Sequence, residues 1–186
     1  MTTRGQPDTA HYVQMGRIVR TSGFDAPSVL VKDGAKLLNV WVDGMRGVPE
    51  NSNFPRMNIR VLGGTGTTVS NNRDSETAGA SALETYSTQD GYPCVSNTLT
   101  GNVITAYSSD NATHPADGMS IHCENSDVEN NQVIDASDVA IIIFNASPAI
   151  QKSQVRNNTV VSAGNSVNGA LGADPFFPPS DGPNDN

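Results

Sequence analysis

Five segments of this chain repeat one pattern at nearly constant spacing, and that repeat limits the possible fold more than any other feature. They are LLNVWVDG (37–44), VSNNRDSE (69–76), LTGNVITA (99–106), VENNQVID (128–135) and VRNNTVVS (155–162). Each holds an apolar residue, then Asn, then an apolar or alternating stretch; in the second, Arg73 stands where an apolar residue is usual. Aligning Asn39, Asn72, Asn102, Asn131 and Asn158 gives successive spacings of 33, 30, 29 and 27 residues. A period of this length marks a stacked array in which no single repeat can bury its apolar side alone. The slow drift points to turns of constant girth carrying loops of variable length.

The repeats are strands, not helices. Asn, Gly, Thr and Val disfavour helix, and the apolar residues fall in short alternating runs, Val128 then Val133 with Ile134, Val155 then Val160 with Val161. A helical repeat needs longer stretches of helical periodicity. VAIIIF (139–144) is a continuous run of mainly β-branched residues, as expected of a buried strand in a parallel sheet. In such a stack, equivalent residues lie about 4.8 Å apart. Asn suits that setting for two reasons: it tolerates left-handed backbone at a tight corner, and its amide can donate and accept along the stack as a ladder. The expected fold is all-β, a parallel β-helix solenoid of about five to six coils.

DGMSIHCENSDVENNQVIDASDVAIIIFNASPAIQKSQVRNNTVV (117–161) resembles the right-handed parallel β-helix repeats of the pectate-lyase-like superfamily, in particular the right-handed β-helix region proteins of bacteria and phages. The resemblance spans roughly residues 28–172. It implies a right-handed solenoid, and it leaves the activity open, because a fold of this kind hosts lyases, hydrolases, epimerases and adhesins. The chain then divides into a leader or partial first coil (1–27), the solenoid (28–172) and an irregular tail rich in Pro and Asp (173–186). HYVQMGRIVR (11–20) has strand-like alternation within the leader. Turn-rich inserts at 44–56, 75–81, 87–93 and 108–118 are the expected loops.

Composition narrows the functional classes. The formal net charge is −8, and an acidic surface without a Lys/Arg cluster repels nucleic-acid phosphate. No apolar run reaches the length of a membrane span. MTTRGQPDTA (1–10) lacks the apolar core of a signal peptide. Either the protein is not secreted or its export signal lies outside this chain; the expectation is the second, a secreted or cell-surface protein, with the chain itself reading as part of a longer solenoid. Cys94 and Cys123 are the only cysteines. They read as two buried thiols packing as small apolar side chains, or alternatively as a disulfide between neighbouring coils, which favours an oxidising compartment.

The residues best suited to chemistry are His122, Asp117, Glu124, His114 and Asp138. In MSIHCEN (119–125) alternation turns Ile121 and Cys123 inward and Ser120, His122 and Glu124 outward. An offset of 20 residues to the next strand sets His122 beside Ile142 and Glu124 beside Phe144. A His with nearby carboxylates can supply a general acid and base, and an outer groove of this kind suits an extended polysaccharide. Trp41, Tyr86 and Phe144 are the candidate substrate contacts, with the inner or outer position of Trp41 left open by the pattern. The signatures of polygalacturonase-like hydrolases are missing apart from a bare Asp117–Gly118. Arg60, Arg73, Lys152 and Arg156 form no signature of the pectate-lyase type. No cofactor is expected; calcium at Asp135 or Asp138 is the one metal option. The functional expectation is a β-helix protein that binds or acts on polysaccharide. The alternative is a non-catalytic structural or adhesive module, joined to further coils or to copies of itself through exposed Ile142 and Phe144.

Overall fold

In the computed structural model, residues 15–21, 26–45, 57–86, 94–105, 115–144, 152–162 and 169–174 are described. Among them the chain is all strand, with no helix. It runs β1 (Gly16–Val19), then β2 (Val29–Val31), β3 (Lys36–Leu38) and β4 (Val40–Asp43), then β5 (Ile59–Leu62), β6 (Gly64–Thr65), β7 (Thr68–Ser70) and β8 (Arg73–Ser75). Next come β9 (Ser81–Tyr86), β10 (Cys94–Val95), β11 (Thr98–Thr100) and β12 (Val103–Thr105), then β13 (Asp117–Ile121), β14 (Asp127–Glu129) and β15 (Gln132–Ile134). The last are β16 (Val139–Phe144), β17 (Gln154–Arg156), β18 (Thr159–Val161) and β19 (Gly169–Asp174).

These strands form three large sheets, with every pairing parallel. Sheet 1 has the order β2-β5-β9-β13-β16-β19, sheet 2 β3-β7-β11-β14-β17, and sheet 3 β1-β4-β8-β12-β15-β18; β6 and β10 pair separately between sheets 1 and 2. The chain thus visits sheet 1, sheet 2 and sheet 3 in turn, and each strand pairs with its counterpart from the visit before. That is an arrangement consistent with a parallel β solenoid.

The inward columns follow from the registers. Sheet 1 stacks Val29, Ile59, Leu83, Met119 and Ile141. Sheet 2 stacks Leu37, Val69, Leu99, Val128 and Val155. Sheet 3 stacks Ile18, Val42, Asp74, Ile104, Val133 and Val160. Residues from all three sheets meet in one core, where Ile59, Val69, Leu83, Leu99, Met119 and Val128 are fully buried. Each such side chain contributes roughly 1.5–3 kcal/mol relative to exposure. VAIIIF forms β16, as its composition indicates, with Ala140 and Ile141 in the core, and β1 lies within 11–20.

Two sequence expectations shift here. The Asn alignment was one residue out at its first member. Asn39 aligns with Asn71, because Trp41 pairs with Arg73. The roles assigned to one Asn belong to two adjacent columns. Asn39, Asn71, Gly101, Asn130 and Asn157 all have positive φ, between 55° and 68°, and make the corner. The next residues, Asn72, Asn102, Asn131 and Asn158, make the ladder. Asn102 Nδ2 donates to Val69 O at 2.9 Å and to Asn131 Oδ1 at 3.0 Å, and Asn102 Oδ1 accepts from the backbone N and Nδ2 of Asn72, both at 3.1 Å. Asn131 repeats this toward Leu99 and Asn158. The second shift concerns the strand after Asn72. Arg73 is on the outer side, in register with Val103; the residue that departs from the inner column is Asp74.

Cys94 and Cys123 form a disulfide, with their Cα atoms 4.9 Å apart. The reading as two free thiols is thereby replaced by a covalent link from β10 to the residue pair following β13.

Candidate functional site

The outer side of sheet 1 gathers most of the residues with chemistry. Its register places Met119 opposite Ile141 and Ile121 opposite Ile143, an offset of 22 residues where 20 was expected. The shift of two preserves which side each residue faces but changes its neighbours. His122 therefore lies against Phe144, and the two rings stack at 4.3 Å between centroids and 8° between planes. Tyr86 meets the other side of His122 edge-on at 5.5 Å. Tyr86, His122 and Phe144 are thus successive rungs of one outer column.

The adjacent outer column holds Arg60, Glu84, Ser120 and Ile142. Arg60 Nε donates to Glu84 Oε2 at 2.5 Å, and the guanidinium lies 5.1 Å from the Tyr86 ring centre. Glu84 Oε1 is 3.8 Å from His122 Nε2. Glu84 is only 6% exposed, and burial raises its proton affinity above the usual carboxylate range while Arg60 pulls it back down. Burial lowers His122 to about 4, helped by the charge of Arg60, so its ring is neutral at physiological pH.

Asp117 enters from the start of β13. Strict alternation breaks at this level: Ala82 and Leu83 both join the core, as do Ala140 and Ile141. Between them is Gly118, where a Cβ would meet Ala140 O at 2.4 Å and Val133 Cγ1 at 2.5 Å. Only glycine allows that approach, and it leaves Asp117 on the same side as Ser120. Ser120 Oγ donates to Asp117 Oδ2 at 2.9 Å, Ser81 Oγ is 2.6 Å from Ser120 Oγ, and Val139 N donates to Asp117 Oδ1 at 3.0 Å. Burial raises Asp117 to about 6, against the pull of the Ser120 and Val139 hydrogen bonds, and Asp138 and Glu84 add repulsion. Asp138 therefore belongs to the electrostatic surroundings of Asp117. The hydroxyls of Ser81 and Ser120 are buried, so they position Asp117.

The other expected residues sort differently. Glu124 sits past β13 in an isolated bridge with Val95 and donates its backbone N to Cys94 O, at the corner toward sheet 2. His114 lies outside the described residues. Trp41 is on the outer side of sheet 3. Its indole is sandwiched by Arg17 at 4.3 Å and Arg73 at 4.5 Å, and its Nε1 donates to Ser75 Oγ at 2.8 Å, so both ring faces are covered. Asp135 has φ 56° at a turn. Among the described residues, no group of three or more His, Cys, Asp or Glu side chains is arranged to hold a metal ion, and no helix is long and apolar enough to cross a membrane. A separate polar depression of about 240 Å³ lies beside sheet 2, lined by Asn97, Asn125, Asp127, Lys152 and Gln154 among others.

Sequence reasoning missed Glu84, the carboxylate nearest His122. The signal was present in SALETY (81–86), which carries Glu84 and Tyr86 at outward spacing, but pairing it with His122 required the register, an offset of 36 residues between β9 and β13. No protein-family model, no curated protein and no solved structure matches this chain.

Proposed function

We propose that this chain is a right-handed parallel β-helix of five to six coils, related to the pectate-lyase-like superfamily, and that the outer face of sheet 1 binds an extracellular polysaccharide. The observation that carries the reading is the continuous run Asp117–Ser120–Glu84–His122 on one face, edged by Tyr86 and Phe144. The half-buried Asp117 carboxylate and the uncharged imidazole of His122 can accept hydrogen bonds from sugar hydroxyls, and the stacked strands of sheet 1 present them along one face. Asp117, held near 6, sits where a general acid or base is most useful at neutral pH, so glycosidic-bond cleavage is the chemistry this face is suited to. The Cys94–Cys123 disulfide supports a location outside the cytosol.

A second reading, a structural or adhesive module, draws on a different observation. The inward-column residues Ile18 and Leu171 are 38% and 62% exposed, and among the described residues β1 and β19 each pair on one side only. An open edge of this kind invites another strand.

The test is a panel of neutral glycans and polyuronates, scored for retention of the protein, reducing ends and unsaturated products. Retention on at least one glycan, weakened by His122→Ala, is the expected result. No retention and no turnover on any glycan overturns the polysaccharide reading. Light scattering then addresses the second reading, which a clean monomer at high concentration contradicts.

A further inference from the structure

We infer that the glycan held by the outer face of sheet 1 is a neutral polysaccharide and not a polyuronate. This rests on the polysaccharide reading above and narrows its ligand. A polyuronate carries one carboxylate per sugar and needs cations free to meet them. Among the described residues, the face offers little of that kind. Arg60 is its central cation, but its guanidinium is already joined to Glu84 and lies over Tyr86. Lys32 follows β2, two strands away from Tyr86, with Leu62 between them in register. The imidazole of His122 carries no charge at neutral pH, because burial lowers it to about 4. Against these stand the carboxylates of Asp117 and Asp138, the second adding repulsion at the first, on a chain of formal net charge −8.

The same groups suit uncharged sugars. The half-buried carboxylates of Asp117 and Asp138 can accept sugar hydroxyl hydrogens, and the imidazole of His122 accepts or donates one more. The Tyr86 and Phe144 rings add apolar edges for the C–H faces of a pyranose. Specificity here comes from repulsion of the wrong ligand as much as from attraction of the right one.

The experiment titrates the full chain with a neutral glucan, mannan, xylan and galactan, and with polygalacturonate and alginate, at low and high salt by calorimetry. The expected result is binding to a neutral glycan that changes by less than about twofold with salt, and at least about tenfold weaker binding to both polyuronates. Glu84→Gln releases Arg60 from its partner and is expected to shift the ratio toward the polyuronates; circular dichroism checks its fold. If that variant does not fold, the salt and ligand comparison on the native chain decides alone. Tighter binding to a polyuronate, weakening as salt rises, overturns the inference while leaving the polysaccharide reading intact. Absence of binding to all six glycans overturns both.

Discussion

Two buried polar regions of this molecule are built from similar groups and fare differently. In the Asn ladder, Asn72, Asn102 and Asn131 are each about 1% exposed, and their amide hydrogens and oxygens meet partners above and below. At the opposite extreme is Asp74, in the inner column of sheet 3 between Val42 and Ile104. It accepts from Asn58 Nδ2 at 2.5 Å, yet its Oδ2 and the Oδ1 of Asn58 have no hydrogen-bond partner. Burial raises Asp74 to about 7, with Asp43 adding repulsion and Asn58 pulling it down. A polar side chain inside a parallel stack is inexpensive when each neighbouring turn repeats it in register, because every rung supplies the donor the next one needs. Asp74 is not repeated, so nothing in the columns above and below it answers its second oxygen.

The largest expected effect breaks the ladder. Asn102→Ala removes the side-chain donor to Val69 O, the acceptor of two Asn72 hydrogens and one of the two donors to Asn131 Oδ1, which keeps the backbone N of residue 102, and should cost about 4 kcal/mol, read as a fall in urea midpoint with an unchanged m-value. Asn130→Gly, one residue from the ladder in the positive-φ column, is its control and should cost under about 1 kcal/mol. Equal losses for the two would show that the corner, not the amide relay, carries the stabilisation.

The next effect runs the other way. The folded state binds the Asp74 proton more tightly than the unfolded chain, whose value is near 3.8. The contribution of neutral Asp74 is therefore fully present below about pH 4 and is lost as pH rises through about 7. Asp74→Asn keeps the shape without the charge. It should match the native protein at pH 4 and exceed it at pH 8 by on the order of 2 kcal/mol. Urea unfolding at both pH values checks this. Parallel pH slopes for the two proteins would remove Asp74 as the cause.

How much of this was readable from sequence depended on what repeats. The strand class and the period were visible because five copies show them, and the Asn ladder because four of those copies carry its Asn. The split between corner and ladder was hidden in the dipeptide Asn-Asn at 71–72, 130–131 and 157–158, where two neighbouring identical residues do different work. The face containing His122 was visible from alternation, but its neighbours were not. An insert of variable length between strands sets the register, and a slip of two residues keeps the face while exchanging Ile142 for Phe144. Glu84 stayed hidden for the same reason, and the level at Gly118, where Asp117 shares a side with Ser120, breaks the very alternation used to find it. Trp41 shows a further limit: the pattern located a large aromatic ring, and only the structure shows two guanidinium groups covering it.

The most direct test of the functional account compares the three outer faces by NMR during titration with whichever glycan retains the protein. The imidazole signals of His122 should shift and saturate with the ligand, while the indole signals of Trp41 on sheet 3 and the side-chain signals of Lys152 beside sheet 2 stay in place. A silent His122 with saturable shifts at Trp41 or Lys152 would contradict the assignment of the site to sheet 1.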